Sequence, residues 1–193
     1  MNSLELQPHY PTLLQVARSS IQHGQEQGVA LPIELPYYAE ILRQSTATFV
    51  TLNLHRQLRG CIGTLEPRRP LVQDIAYNAF AAAFQDPRFS PIAETEIDCL
   101  EISISVLTPL QKIEATTEEE LLQQLQVGHD GLVLEEGHYR ATFLPKVWQS
   151  LPDKGDFVRQ LKHKAGLPND YWSDKMRCYR YSVIEIAEQD TPP

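Results

Sequence analysis

The segment from residue 71 to residue 84 constrains the fold most, because it is apolar almost all the way round. Pro70 precedes it and suits the first turn of a helix, and the alanines at positions 79 and 81–83 permit close packing. We therefore expect a helix at residues 71–84 that other elements bury. A chain of 193 residues, of which 42% are hydrophobic, can supply such a core.

Segments with alternating hydrophobic residues predict strands on both sides of this helix. Residues 48–63 are typical of a hairpin that turns at His55-Arg56-Gln57, and residues 100–107 are typical of a strand. A second hairpin is expected within residues 132–143. We expect residues 178–186 to form one final strand.

Helical spacing of apolar residues predicts further helices between these hairpins, at residues 12–27, 118–126, 147–151 and 157–164. Strands that pair with their neighbours along the chain, with helices in between, do not form a regular βαβ alternation. The pattern indicates an α+β fold, with a mainly antiparallel sheet and flanking helices.

Charge and cysteine content narrow the functional classes. A net charge of −8 and a pI near 5.2 make a general nucleic-acid binder unlikely on composition, since such proteins carry a basic footprint. We find no apolar run that could cross a bilayer and no secretory signal at the N-terminus, so the expectation is a cytoplasmic protein without a membrane segment. The three cysteines suit reduced thiols, and the sequence predicts neither a bound metal nor a cofactor.

Residues 58–64, Leu-Arg-Gly-Cys-Ile-Gly-Thr, suggest a binding or reactive site. In a strand, Leu58 would share one face with Gly60 and Ile62, and Arg59 would share the other face with Cys61 and Gly63. A guanidinium beside a thiol favours the reactive thiolate form. The two glycines would leave the backbone open to a ligand.

This motif resembles the signature of the AMMECR1 domain, and the resemblance continues in ordered blocks through nearly the whole chain. The further blocks are Ala82 to Phe89, Ile104 to Thr108, Gly128 to Leu132, Ala141 to Pro145, Lys164 to Leu167 and Tyr179 to Tyr181. The compact chain is most similar to the bacterial and archaeal branch, the A component of the AmmeMemoRadiSam system.

The resemblance implies a single AMMECR1-like domain over residues 1–193, with a large lobe, a small lobe and a cleft between them. It also implies Memo-like and radical-SAM proteins as partners, and it implies no established reaction. The grouped cysteines of a radical-SAM cluster are absent from this sequence, so the radical chemistry would belong to a partner.

The candidate site residues each have a functional and a structural interpretation. Cys61 is either a nucleophile or an inert, half-buried thiol. Arg59 either binds an anion or forms a structural ion pair, with Glu101 as a candidate partner. Asp86 and Arg88, on either side of Pro87, either face a cleft or form a local salt bridge after the helix.

Other polar residues carry the same ambiguity. The strand residues Thr51, Asn53, Ser103 and Ser105 either extend the site or lie on an ordinary solvent-exposed sheet face.

His129-Asp130-Gly131 is either a histidine–carboxylate pair or a turn before a strand. The basic run at residues 162–164 is typical of a solvated helix face.

The hypothesis that follows is a cytoplasmic binding or assembly protein that acts with Memo-like and radical-SAM partners. Its cleft would bind an unknown small, anionic ligand. The ligand-binding residues would be Arg59, Gly60, Cys61, Gly63, Asp86 and Arg88.

Two alternatives stay open, so the sequence leaves open whether the chain is an enzyme. One is a thiol-dependent enzyme that uses Cys61 as its catalytic nucleophile, and the other is a metal-delivery protein that uses Cys61 with a distant histidine.

Overall fold

The computed structural model describes residues 2–188. Its helices are α1 (Ser3–Leu6), α2 (Tyr10–Gln27), α3 (Leu71–Phe84), α4 (Glu118–Gln124) and α5 (Lys154–Ala165). Its strands are β1 (Thr48–Leu54), β2 (Gln57–Gly63), β3 (Leu100–Leu107), β4 (Gln111–Ile113), β5 (Gly131–Glu136), β6 (Tyr139–Phe143), β7 (Arg177–Tyr181) and β8 (Val183–Ala187).

The strands form two sheets, with the orders β2-β1-β3-β8 and β4-β7-β5-β6. In the first sheet β1 is antiparallel to both β2 and β3, and in the second β7 is antiparallel to both β4 and β5. The prediction of an α+β fold is therefore confirmed, with two sheets instead of one. None of the described helices combines the length and hydrophobicity that crossing a bilayer requires.

The chain divides into two compact units. The first contains the residues up to Thr108 together with the segment from Ile184, and the second is Pro109–Val183. The first sheet lies in the first unit and the second sheet in the second. The cleft between lobes that the sequence suggested stays a prediction.

In the first unit, α2 and α3 cover one face of the sheet. Leu71, Ile75 and Ala79 of α3 have no exposed surface, and they belong to the same core as Val50 and Leu52 of β1. The prediction of a buried helix is confirmed, and the helix begins and ends at the predicted residues, Leu71 and Phe84. The odd-numbered residues of β1 lie on the opposite face and stay half-buried.

In the second unit, α5 packs on the other sheet. Phe157 and Leu161 are fully buried, and the Trp148 ring stacks on Phe157 with ring centroids 3.7 Å apart. Lys162 is also fully buried, where its ammonium donates to a Glu118 carboxylate oxygen at 2.7 Å. The expectation of a solvated lysine at this position is wrong, because an ion pair satisfies its charge inside the unit.

The prediction of one final strand at residues 178–186 is also wrong, because this segment forms two strands. β7 ends at Tyr181 and pairs with β5, whereas β8 begins at Val183 and takes the outer position beside β3. Ser182 is the residue between them. A continuous β-type pattern therefore supplies one strand to each sheet.

Candidate functional site

Cys61 lies on β2, which is an edge strand of the first sheet. It is directly opposite Thr51 of β1, and the Thr51 hydroxyl donates a hydrogen bond to the Cys61 Sγ at 3.3 Å. The thiol is half-buried and free. An edge strand leaves backbone groups without partners on its outer side, and these need to be satisfied or protected.

Asp86 and Arg88 satisfy the backbone of Cys61 on that side. The Asp86 carboxylate accepts the Cys61 N–H at 2.8 Å, and Arg88 Nη2 donates to the Cys61 carbonyl at 3.1 Å. The two side chains also bind each other, since Arg88 Nε and Nη2 donate to the two Asp86 oxygens at 2.9 and 2.7 Å. The predicted local salt bridge is therefore present, and it holds the strand edge at Cys61.

The charges of this pair stabilise each other. Hydrogen bonds from Arg88, and then from the Cys61 and Arg88 backbone N–H groups, hold the pKa of Asp86 well below its usual range in spite of its burial. The pKa of Arg88 is raised, mainly by Asp86 and further by Cys61. Arg88 Nη2 also donates to the Cys61 carbonyl at 3.1 Å, so the guanidinium lies beside the residue that carries the thiol.

Arg88 is the exposed member of the pair. Its side chain is 54% exposed, whereas that of Asp86 is 2% exposed. Among the described residues, no hydrogen bond uses Arg88 Nη1, so its two N–H donors are available to a ligand. The guanidinium can thus receive an anionic group without giving up its hold on β2.

Arg59 is directed to a different partner. Its Nε and Nη2 donate to the two carboxylate oxygens of Glu96 at 2.9 and 3.0 Å. The Arg59 guanidinium also donates to the backbone carbonyls of Ser90 and Pro91. An ion pair was one of the two predicted roles of Arg59, but its partner is Glu96 and not Glu101. Its role in ligand binding stays a prediction.

A change of register explains why strict alternation fails near Arg59. Leu52 is opposite Gly60, but Asn53 is opposite Leu58, so Arg59 is an extra residue in β2. Such a β-bulge places the strand residues that precede it on the face opposite to the one that strict alternation predicts. The prediction that Leu58 shares a face with Gly60 is therefore wrong, and Leu58 is 45% exposed.

The two glycines of the motif permit close packing. A Cβ on Gly60 would overlap the carbonyl oxygen of Ala82 in α3, and a Cβ on Gly63 would overlap the Thr48 carbonyl and the Phe49 ring. Helix α3 thus occupies one side of Gly60. The ligand-binding role suggested for both glycines stays a prediction.

The remaining candidate carboxylate, Asp130, has a structural partner within the second unit. The Asp130 carboxylate accepts the Gln126 N–H at 2.9 Å, which fits the turn interpretation of the segment around His129. Cys99 is exposed and Cys178 is buried, and burial raises the pKa of Cys178 to about 12. Within residues 2–188, no three His, Cys, Asp or Glu side chains come together in a way that could hold a metal ion.

Sequence reasoning missed two contributions to this site. No sequence pattern pointed to Glu96, because its partner Arg59 lies 37 residues away in the chain. The contact between Arg88 and Cys61 crosses 27 residues, although both side chains were candidates individually.

The AMMECR1 family model matches residues 14–186, which include the β2 edge, Asp86 and Arg88. The chain belongs to the AMMECR1 family. A relative from Methanocaldococcus jannaschii is 35% identical over 83% of this chain and 81% of its own length. One from Methanothermobacter thermautotrophicus is 36% identical over 93% of both chains.

A solved structure has the same fold as this chain. The crystal structure of an uncharacterized protein from Pyrococcus horikoshii is 35% identical, with a TM-score of 0.76, and the match covers 90% of this chain and 88% of that one. The predicted resemblance to this family is therefore confirmed.

Proposed function

We propose that this AMMECR1-family chain is a binding or assembly protein of the cytoplasm whose site is the Cys61 edge of β2. The exposed side of Arg88 would receive an anionic group of a ligand or partner beside the Cys61 thiol. The partners we propose are Memo-like and radical-SAM proteins, on the basis of the sequence resemblance.

One observation carries this proposal: Asp86 and Arg88 bind both backbone groups of Cys61 while Arg88 stays half-exposed. The arrangement fixes the guanidinium and the thiol relative to each other before any ligand arrives. Such preorganisation lowers the entropic cost of binding.

The same geometry favours binding over general base catalysis. The Asp86 carboxylate accepts four hydrogen bonds, from the N–H groups of Cys61 and Arg88 and from two guanidinium nitrogens. These bonds hold its pKa far below neutral pH, so Asp86 is a weak proton acceptor. We assign Asp86 a positioning role.

A thiol-dependent enzyme is the second candidate. Thr51 donates a hydrogen bond to the sulfur of a free thiol, and the Arg88 guanidinium binds the carbonyl of the same residue, so Cys61 could attack an electrophile beside a positive charge. Thr51 donates to the sulfur and does not remove a proton from it. Within residues 2–188 no hydrogen bond joins the Cys61 thiol to a proton acceptor, so a thiol enzyme would take that acceptor from the substrate or from a partner.

The test uses calorimetric titration with a purified Memo-like protein and a purified radical-SAM protein from the same organism. Arg88→Ala should weaken binding by about tenfold or more, the scale of one hydrogen bond to a charged group. Arg68→Ala is the matched control, because Arg68 is 66% exposed and pairs with Glu66. It should leave the affinity unchanged.

Cys61→Ser separates the two candidates. Under the binding proposal it should leave the affinity nearly intact, since the backbone of residue 61 keeps its contacts. The proposal would be overturned if the folded wild-type protein bound neither partner. It would also be overturned if Arg88→Ala and Arg68→Ala lost the same amount of affinity. Circular dichroism on each variant confirms that it is folded.

A further inference from the structure

The face of the first sheet that α2 and α3 leave uncovered carries polar side chains in register. Thr51 of β1 is opposite Ser103 of β3, and Asn53 is opposite Glu101. Directly opposite residues in an antiparallel pair project to the same face, with Cβ atoms about 4.5–5.5 Å apart. The four side chains thus form one polar surface, and all four are half-buried.

A cavity of about 140 Å³ opens on this surface. Its lining residues are Asn53, Glu101, Ile102, Ser103, Ala187 and Glu188. The volume would hold roughly five water molecules at about 30 Å³ each, which suits one small functional group rather than a large ligand. All of its lining residues belong to the first unit.

Three of the lining side chains have unused hydrogen-bonding capacity. Within the described residues, the Asn53 amide, the Ser103 hydroxyl and the Glu101 carboxylate take part in no hydrogen bond or ion pair. Half-buried polar groups in a cavity normally bind water or a ligand. Their oxygens provide acceptors from three different side chains around one small space.

The neighbouring acidic residues are already engaged. Glu188 binds the Arg18 guanidinium and accepts the Ile102 N–H at 3.1 Å. Glu185, further along the sheet, accepts the Ser105 hydroxyl at 2.9 Å. Glu101 is therefore the carboxylate at this cavity that lacks a counter-charge among the described residues.

We propose that this cavity binds an alkylammonium group. Glu101 would supply the counter-charge, and Asn53 Oδ1 and Ser103 Oγ would accept the other N–H donors. A primary ammonium has three donors, which matches these three acceptors in number. This site is separate from the anion-binding role of Arg88 and does not depend on it. The group could come from a free amine or from a lysine side chain of another protein.

The probes are propylamine, Nα-acetyl-lysine amide and the uncharged 1-propanol, titrated into the intact protein at neutral pH and low salt. At neutral pH both amines are cations, as expected from a lysine-like pKa of about 10.4. The readout is the NMR shift of the Asn53 side-chain NH2 and of the backbone amides of residues 101 and 103. Saturable shifts are expected with at least one amine and not with 1-propanol. Tighter binding of one amine indicates which source the site prefers.

The matched variants are Glu101→Gln and Glu185→Gln, which remove one carboxylate each from the same sheet. Glu101→Gln should weaken amine binding by at least about tenfold, and Glu185→Gln should change it by less than about twofold. Equal weakening in both variants would show general surface charge and overturn the proposal. So would the absence of saturable shifts, or equal binding of 1-propanol. Thermal melts establish that each variant is folded.

Discussion

The Asp86 carboxylate accepts the backbone N–H of Cys61 at 2.8 Å, which ties the chain just after α3 to the edge of β2. Arg88 completes the connection from the other side, through the Cys61 carbonyl. A thiol on an edge strand would otherwise move with the fraying of that strand. These contacts explain how the exposed guanidinium of Arg88 keeps its position relative to the residue that carries the thiol.

Replacing Asp86 by Asn should lower the free energy of unfolding by about 1–3 kcal/mol, because a buried charge that holds Arg88 and Cys61 is lost. Urea denaturation measures this change. Glu114→Gln is the control, since its pair with Lys112 is exposed on both sides and should contribute at most about 1 kcal/mol. A loss in Asp86→Asn no larger than that of the control would contradict the assigned role.

The stabilisation by Asp86 should also depend on pH. The pKa of Asp86 is lowered on folding, mainly by Arg88, so its ionised form stabilises the folded state. The contribution is complete above the unfolded-state pKa of about 3.9 and is lost as the pH falls below it. The stability difference between wild type and Asp86→Asn should therefore be constant from neutral pH to about pH 5 and shrink below about pH 4. Urea midpoints across this range test the prediction, and a difference that grows in acid would refute it.

Gly60→Ala should destabilise the fold by about 1–3 kcal/mol or more, because its Cβ would overlap the backbone carbonyl of Ala82. A backbone atom in a buried helix cannot move away as a side chain can. Gly155→Ala is the comparison, since the nearest atom to its Cβ is a side-chain oxygen of Asp153. Thermal unfolding of both variants should show the larger loss for Gly60→Ala, and the reverse order would argue against the close packing of β2 on α3.

Arg59 and Glu96 should behave as a coupled pair in a double-mutant cycle. Their side chains are 17% and 24% exposed, and the guanidinium binds both carboxylate oxygens. Arg59→Ala and Glu96→Gln should show a coupling energy of about 0.5–3 kcal/mol in chemical denaturation. Arg59→Lys should not restore stability, because an ammonium cannot make the same two-pronged contact. Strictly additive losses would contradict a direct role for the pair.

Sequence patterns predicted local elements well where a single physical signal dominated. The helix at 71–84 follows from its apolar surface and Pro70, and the strand at 100–107 follows from strict alternation. The hairpin turn at His55 and Arg56 was also predicted. Both residues adopt positive φ values of 51° and 63°, which a sequence without Gly or Asn at these positions does not suggest.

Features that depend on distant contacts could not be predicted in the same way. The bulge at Arg59 changes the register without leaving a mark in the hydrophobic pattern. The burial of Lys162 depends on Glu118, which lies 44 residues away. Likewise, Cys61 and Arg88 were candidates individually, but their contact exists because α3 returns the chain to the edge of β2.

The labelling of Cys61 by anionic iodoacetate and by neutral iodoacetamide tests most directly whether Arg88 receives an anionic group at this site. Mass spectrometry of the folded protein follows Cys61, with exposed Cys99 as the internal reference and buried Cys178 as a marker of unfolding. Because a guanidinium attracts a carboxylate, Arg88→Ala should slow the labelling of Cys61 by iodoacetate more than its labelling by iodoacetamide. The comparison of the two reagents cancels any change in the accessibility of the strand edge. Arg68→Ala should leave the ratio of the two rates unchanged. An unchanged or higher iodoacetate-to-iodoacetamide ratio at Cys61 in folded Arg88→Ala would contradict the account of an anion-binding site built on Cys61 and Arg88.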